Sequence, residues 1–142
     1  MDFKSKIILI SGPTASGKSS FAIKLAKKVN GEIINADSMQ VYKQFKVLSA
    51  RPDQKNYKKI RHHLYGFHDV KKNFSIGNWL KLVLKKIEEI KKRKKIPILV
   101  GGTGLYFKSL TDGLVKIPKI PRKINNKIRL MHSKIGQDKF YK

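Results

Sequence analysis

The chain has 142 residues, no cysteine and a formal net charge of +24. This length fits one α/β core, and the lack of cysteine excludes disulfides and thiolate metal sites. The first residues lack the apolar stretch of a secretory signal, and no apolar run reaches the roughly 20 residues of a membrane span, so we expect a cytoplasmic protein without a membrane segment. Only five of the 33 basic residues are arginine, so a lysine-rich composition explains the charge as well as RNA binding does.

The strongest motif follows an apolar run at residues 7–10 and precedes a helical pattern. The motif has the spacing of a phosphate-binding loop, which is a glycine, four further residues, and then glycine, lysine and serine. Backbone N–H groups of such a loop surround an anion, the lysine balances its charge, and the hydroxyl reaches Mg²⁺. The sequence predicts a di- or triphosphate site, with Ser19 near Mg²⁺, made of Gly12, Pro13, Thr14, Ala15, Ser16, Gly17, Lys18 and Ser19.

The chain around this loop reads as strand, loop, helix and strand. Periodicity predicts a first strand at about residues 6–11, a helix over 18–29 with Gly31 as its C-cap, and a second strand over 32–36. Asp37 then follows the second strand. Ligands of open parallel sheets bind outside the carboxyl ends of the strands, so we expect Asp37 and the loop to face one crevice. The alternative is that Asp37 caps a following helix.

A second strand-forming unit follows an irregular stretch. Residues 38–74 show no sustained period and predict loops and short helices. Ser75 is a candidate N-cap for a helix that packs on the sheet and ends in the basic run 91–95. Its apolar stripe consists of Ile76, Trp79, Leu80, Val83, Leu84, Ile87 and Ile90.

The apolar run 96–100 predicts a third buried strand, which ends in Gly101-Gly102-Thr103-Gly104 beside the crevice. Leu105, Tyr106, Leu110 and Leu114 predict a short helix. The proline-containing stretch 117–121 predicts a departure from the sheet, and a final helix is expected at about 122–135.

A phosphate loop alone leaves kinases, hydrolases and transferases open. Many kinases end an apolar strand with an aspartate that helps to hold Mg²⁺, whereas the run 96–100 ends in glycine and threonine. Asp37 could instead accept a proton from the exocyclic amine of a nucleobase, and Ser38 and Gln40 could recognise the edge of that nucleobase by hydrogen bonds. A small-molecule kinase therefore remains as an alternative, and a non-catalytic basic RNA-binding remnant is another.

Four motifs in order make the chain similar to tRNA dimethylallyltransferases, also called tRNA isopentenyltransferases. They are the phosphate loop, the segment from Asn35 to Lys43, the triplet His62-His63-Leu64, and the segment from Val100 to Tyr106. The resemblance implies a P-loop NTPase-like parallel sheet flanked by helices. It also implies an incomplete catalytic core at 1–116 and, at 117–142, the beginning of a helical tRNA-binding insertion. Because members of this family are about twice as long, we expect a truncated N-terminal portion with weak or no turnover by itself.

The resemblance also implies a reaction and roles. A dimethylallyl group moves from dimethylallyl diphosphate to N6 of the adenosine next to the anticodon of tRNA, and diphosphate leaves. Residues 14–19 would hold the diphosphate with Mg²⁺ as cofactor. Asp37 would be the general base and Thr103 would act at the reaction centre. The implied tRNA-binding residues are Asp37, Ser38, Met39, Gln40 and Thr103. We expect no membrane partner and infer no obligate protein partner.

Other residues support weaker hypotheses. His62 and His63 lack a third ligand at a useful spacing, so structural hydrogen bonds are favoured over zinc. Trp79 is expected in the core rather than as a platform for a base, and Tyr106 is ambiguous. Arg51 matches a basic position of the similar family.

Overall fold

The structure, a computed structural model, describes residues 6–57, 59–115 and 120–141. Its strands are β1 (Ile8–Ser11), β2 (Gly31–Asn35), β3 (His62–His63) and β4 (Ile96–Gly101). Its α-helices are α1 (Lys18–Val29), α2 (Ile76–Lys92), α3 (Gly104–Thr111), α4 (Arg122–Ile135) and α5 (Gln137–Phe140), and one 3₁₀ turn spans Gln54–Tyr57. The strands form one parallel sheet in the order β1-β4-β2-β3.

The central strand β4 is buried along its whole length. It pairs with β1 through Ile8 and Ile98 and with β2 through Ile33 and Ile98. Parallel strands need crossover connections, whose helices cover the two faces of the sheet. One core cluster joins Ile33 and Ile98 to α1, and the other joins Ile34 and Leu99 to α2. The predicted α/β class and flanked parallel sheet are confirmed.

Helix α2 begins as its sequence predicts, because Ser75 Oγ accepts a hydrogen bond of 3.2 Å from the Asn78 N–H. The apolar stripe faces the sheet through Trp79, Val83, Ile87 and Ile90, which are all buried. Ile76 and Leu80 are partly buried and pack against the same core, whereas Leu84 is 46% exposed, so this member of the apolar stripe does not face the sheet. The three-four spacing allowed it, but its position lies at the margin of the buried face.

Two predictions near the sheet need correction. The C-cap of α1 is Asn30, whose φ is 52° and whose N–H donates to the Ala26 carbonyl. Asparagine tolerates this left-handed conformation, so Gly31 is not the cap and instead pairs with Ile96 as the first residue of β2. The segment 38–74, predicted to hold loops and short helices, also contributes the strand β3, which pairs with Ile33 and Ile34.

The C-terminal part departs from the sheet. Helix α3 ends at Thr111, so Leu114 lies beyond it and is 41% exposed. Helix α4 has the predicted bounds, and none of its residues is buried. The boundary predicted at 116/117 lies outside the described residues and stays a prediction. In the part of the chain that the structure describes, no helix is long and apolar enough to cross a membrane.

Glu32, the second residue of β2, has a buried carboxylate. Glu32 is fully buried and accepts two hydrogen bonds from Arg93, at 3.2 and 2.7 Å. His63 Nε2 lies 2.7 Å from Glu32 Oε2, and Lys95 Nζ lies 3.6 Å from Oε1. Burial raises the pKa of Glu32, but the hydrogen bonds from Arg93 and His63 and their charges outweigh it and lower the pKa to about 2. The cluster joins β2 and β3 to the short segment between α2 and β4.

Candidate active site

The phosphate-binding loop connects the carboxyl end of β1 to the first turn of α1. Ala15 and Gly17 have positive φ values of 64° and 81°, and Gly17 is the N-cap of α1. The Lys18 ammonium folds back over the loop, where it donates to the Pro13 carbonyl and lies 3.5 Å from Ser16 Oγ. A helix N-terminus and a lysine ammonium thus face the same space, which favours an anion there.

A cleft of about 290 Å³ lies against this loop, and we call it the phosphate-loop cleft. The predicted site residues on its wall come from both the loop and the segment after β2, as we expected for a crevice at the strand ends. They are Thr14, Ala15, Gly17, Lys18, Ser19, Asp37 and Gln40. The remaining lining residues were not predicted as site residues and are Ser20, Ser49, Ala50, Tyr65, Val100 and Gly101.

Six predicted site residues are not part of this lining. They support the loop and the turn after β2, or lie beside that turn. They are Gly12, Pro13, Ser16, Ser38, Met39 and Thr103. Their predicted roles, like those of the lining residues, stay predictions.

Asp37 is held in a tight turn at the carboxyl end of β2. Its Oδ1 accepts a hydrogen bond of 2.9 Å from the Met39 N–H. No α-helix follows directly, so this contact is a local turn and not the helix cap considered as the alternative. A methyl group on Gly102 would lie 4.0 Å from the other carboxylate oxygen, Oδ2. The turn therefore leaves Oδ2 beside the second glycine-rich turn.

The ends of β2 and β4 approach each other closely. A Cβ on Gly101 would lie 2.0 Å from the Ala36 carbonyl oxygen, so only glycine permits the approach. Just beyond it, Thr103 Oγ1 accepts a hydrogen bond of 2.9 Å from the Ser38 N–H and lies 3.3 Å from Ser38 Oγ. Thr103 thus fixes the turn that carries Asp37.

Gln40 connects the turn that carries Asp37 to a part of the cleft wall whose residues were not predicted from the sequence. The side-chain Nε2 of Gln40 donates to the Ser49 carbonyl at 3.0 Å. The backbone carbonyl of Gln40 accepts a hydrogen bond from the Gly66 N–H at 2.8 Å. Ser49, Ala50 and Tyr65 thereby reach the cleft. They lie in the stretch without periodicity, where the position of Tyr65 next to the His62-His63-Leu64 motif was the one available signal.

Two tyrosines near Asp37 remain protonated. Burial raises the pKa of Tyr65, and Tyr57 and the negative charge of Asp37 raise it further. Burial likewise raises the pKa of Tyr106 to about 12, with smaller contributions from Tyr42 and Asp37. Tyr65 thus presents a neutral hydroxyl-bearing ring to the cleft.

Trp79 lies beneath this site as a core residue, which confirms its prediction. It is fully buried, its ring stacks on Tyr106 with centroids 4.0 Å apart, and its Nε1 donates to the Asn35 carbonyl at 3.1 Å. The ambiguous Tyr106 is also buried, as part of this stack.

The paired histidines and Arg51 make structural contacts. The His62 ring stacks on Tyr57 at 3.7 Å and its Nδ1 lies 2.9 Å from the Ile60 carbonyl oxygen, while His63 contacts Glu32. Arg51 donates to the Tyr42 carbonyl at 3.0 Å. Over residues 6–57, 59–115 and 120–141, no three His, Cys, Asp or Glu side chains are placed to hold a metal ion.

The chain is similar to proteins of one family. A family model described as IPP transferase matches residues 40–142. A tRNA dimethylallyltransferase of Pelagibacter ubique is 70% identical over 142 residues, which are 100% of this chain and 45% of that protein. A tRNA dimethylallyltransferase of Rickettsia canadensis is 50% identical over 133 residues, 94% of this chain and 41% of that protein. The chain thus spans less than half the length of these relatives.

Solved structures share the fold. The full-length tRNA isopentenylpyrophosphate transferase of Bacillus halodurans matches with a TM-score of 0.77 and 32% identity over 92% of this chain and 44% of that one. A eukaryotic dimethylallyltransferase described as acting on tRNA matches with a TM-score of 0.77 and 36% identity, over 86% of this chain and 31% of that one.

Proposed function

The chain belongs to the IPP transferase family, and from that membership we propose that it carries the donor-binding and acceptor-activating part of a tRNA prenyltransferase. The donor is dimethylallyl diphosphate, and the acceptor is N6 of the adenosine adjacent to the anticodon. The relatives named above are described as tRNA dimethylallyltransferases or isopentenylpyrophosphate transferases, and none supports the kinase or the RNA-binding remnant.

The observation that carries the proposal is the presence of Lys18 and Asp37 on one cleft. Lys18 and the first turn of α1 supply positive charge for a diphosphate, and Asp37 supplies a carboxylate at the neighbouring strand end. A prenyl transfer needs both groups near one reacting centre: an anion site for the leaving group and a base for the attacking amine.

The reaction balances with these groups. The N6 nitrogen forms a bond to the allylic carbon while the bond from that carbon to the diphosphate oxygen breaks. The electron pair of the broken bond leaves with diphosphate, and the N6 proton passes to the Asp37 carboxylate. The adenine must leave its stack for N6 to reach the allylic carbon. Ser38, Met39, Gln40 and Thr103 lie on the turns around Asp37 and are proposed to contact the tRNA.

Mg²⁺ is proposed as the cofactor. The residues present fit a magnesium ion that is held chiefly by substrate, because Mg²⁺ prefers oxygen ligands and commonly uses few protein groups together with phosphates and water. Ser19, on the wall of the cleft, would contribute its hydroxyl. When bound, the ion would neutralise charge on the departing diphosphate.

Mass spectrometry of nucleosides tests the proposal. The chain, and a hybrid enzyme in which residues 1–142 replace the matching segment of the Pelagibacter ubique relative, are incubated with tRNA, Mg²⁺ and dimethylallyl diphosphate. We expect N6-dimethylallyladenosine with the hybrid enzyme and weak or no product with the chain alone. In the hybrid enzyme, Asp37→Ala is expected to remove the product, and Lys18→Ala is expected to lower the amount of product most at low donor concentration.

Matched controls distinguish the specific roles of Lys18 and Asp37 from the general effect of removing a charged side chain. Lys28→Ala changes an exposed lysine on α1, and Asp112→Asn neutralises an aspartate beyond α3, so both should retain product. Absence of product from a folded hybrid enzyme, while the unaltered relative forms it, would contradict the proposal. Transfer of phosphate from ATP to a small acceptor would support the kinase instead.

A further inference from the structure

Asn35, the last residue of β2, contacts Asp37 through both ends of its side-chain amide. Asn35 Oδ1 accepts the Asp37 N–H at 3.0 Å, and Asn35 Nδ2 donates to the Asp37 carbonyl at 2.9 Å. One buried side chain thus satisfies both backbone polar groups of the residue proposed as the base. We infer that Asn35 is a positioning residue that fixes the direction of the Asp37 carboxylate for proton removal, an inference that rests on the proposed function.

Asn35 also contacts two other parts of the fold, one through its side-chain amide and one through its backbone carbonyl. Nδ2 also donates to the Leu64 carbonyl at 3.1 Å, directly after β3. The backbone carbonyl of Asn35 accepts from Trp79 Nε1 on α2 at 3.1 Å. Contacts with Leu64 and Trp79 therefore fix Asn35, and Asn35 in turn fixes the backbone of Asp37.

Asparagine is well suited to this position. Its amide offers an acceptor oxygen and two N–H donors. The oxygen accepts the Asp37 N–H, and the two N–H groups donate to the carbonyls of Asp37 and Leu64. Alanine would remove all three hydrogen bonds from these partly buried groups. Aspartate has the same shape and keeps the acceptor, but it loses both donations.

The consequence concerns the carboxylate. Asp37 Oδ1 is occupied by the Met39 N–H, so the direction of Oδ2 depends on the backbone at residue 37. If the peptide planes around Asp37 rotate, Oδ2 moves away from the acceptor nitrogen while the phosphate loop remains in place. A displacement of about 1 Å in a reacting group can lower a rate by about 100-fold.

Amide hydrogen exchange of the 142-residue chain tests the contact independently of catalysis. The Ala36 N–H, which donates to the Val100 carbonyl at 2.8 Å, is the internal reference. In Asn35→Ala, the Asp37 amide is expected to exchange at least about 10-fold faster relative to that of Ala36. In the control Val83→Ala, which removes buried contacts on α2 without touching Asn35, the two amides should change together.

Kinetics of the hybrid enzyme test the role. Asn35→Ala is expected to lower kcat at least about 10-fold with little change in the KM for the donor, since the phosphate loop is intact. Asn35→Asp should also lower kcat and serves if Asn35→Ala does not fold. Equal exchange ratios in wild type and variant, or an unchanged kcat in folded Asn35→Asp, would overturn the inference. If the unaltered hybrid enzyme makes no product, the proposed function fails, and the exchange ratio still decides whether Asn35 fixes Asp37.

Discussion

The buried Glu32 cluster makes a quantitative prediction about stability and pH. Folding lowers the pKa of Glu32 from 4.5 to about 2, because Arg93 and His63 outweigh the effect of burial. Each unit of pKa difference corresponds to about 1.4 kcal/mol, so the ionised cluster adds about 3 kcal/mol to the free energy of unfolding. Since the folded pKa lies below the unfolded value, this contribution is complete above about pH 4.5 and is lost as the pH falls toward 2.

Urea denaturation at a series of pH values measures this term. The wild type should lose about 3 kcal/mol more stability than Glu32→Gln between pH 5 and pH 2. Glu32→Gln should already be less stable at pH 7, because it leaves Arg93 and Lys95 without their partner, although both side chains remain about one-third exposed and can be hydrated. The exposed Glu88→Gln is the matched control and should follow the wild type. Parallel pH profiles for the wild type and Glu32→Gln would refute the reasoning.

Three further predictions concern the second glycine-rich turn, the core and the phosphate-binding loop. Gly101→Ala should destabilise the fold by about 3 kcal/mol in chemical denaturation, because the added Cβ would meet the Ala36 carbonyl. The control Gly104→Ala should be tolerated, because the space around Gly104 is open. Equal losses of stability in the two variants would contradict the close approach of β2 and β4. Trp79→Phe should cost about 1–3 kcal/mol by the same measurement, because the Asn35 carbonyl loses its donor, and an unchanged stability would argue against that bond. Lys18→Ala should weaken binding of inorganic diphosphate at least about 10-fold in calorimetry, and Lys28→Ala should not; equal binding would place the anion elsewhere.

Much of the fold could be predicted from local patterns. The loop motif over 12–19 joins β1 to the first turn of α1, Ser75 caps α2, and the run 96–100 forms most of the central strand β4. Each of these segments has a strong period or a terminal signal of its own. The two-residue strand β3 could not be predicted, since its pairing with Ile33 and Ile34 is a long-range contact without a periodic signature.

The candidate site divides in the same way. Lys18 and Asp37 were predicted to share a crevice, because strand ends of a parallel sheet meet at one edge, and both line the phosphate-loop cleft. Ser49, Ala50 and Tyr65 reach it through the Gln40 side chain and the folding of an irregular segment. The contacts of Asn35 with Asp37 and Leu64 likewise depend on the tertiary structure. Only the motif containing Asn35 was visible in the sequence.

The central claim is that Lys18 holds the donor and Asp37 activates the acceptor in one cleft. Single-turnover transfer to tRNA by the hybrid enzyme, followed at increasing concentrations of dimethylallyl diphosphate, separates the two roles most directly. We predict that Lys18→Ala raises the donor concentration needed for half-maximal rate, and that Asp37→Ala lowers the rate by at least about 100-fold at every donor concentration. Transfer by Asp37→Ala at the wild-type rate would contradict the account.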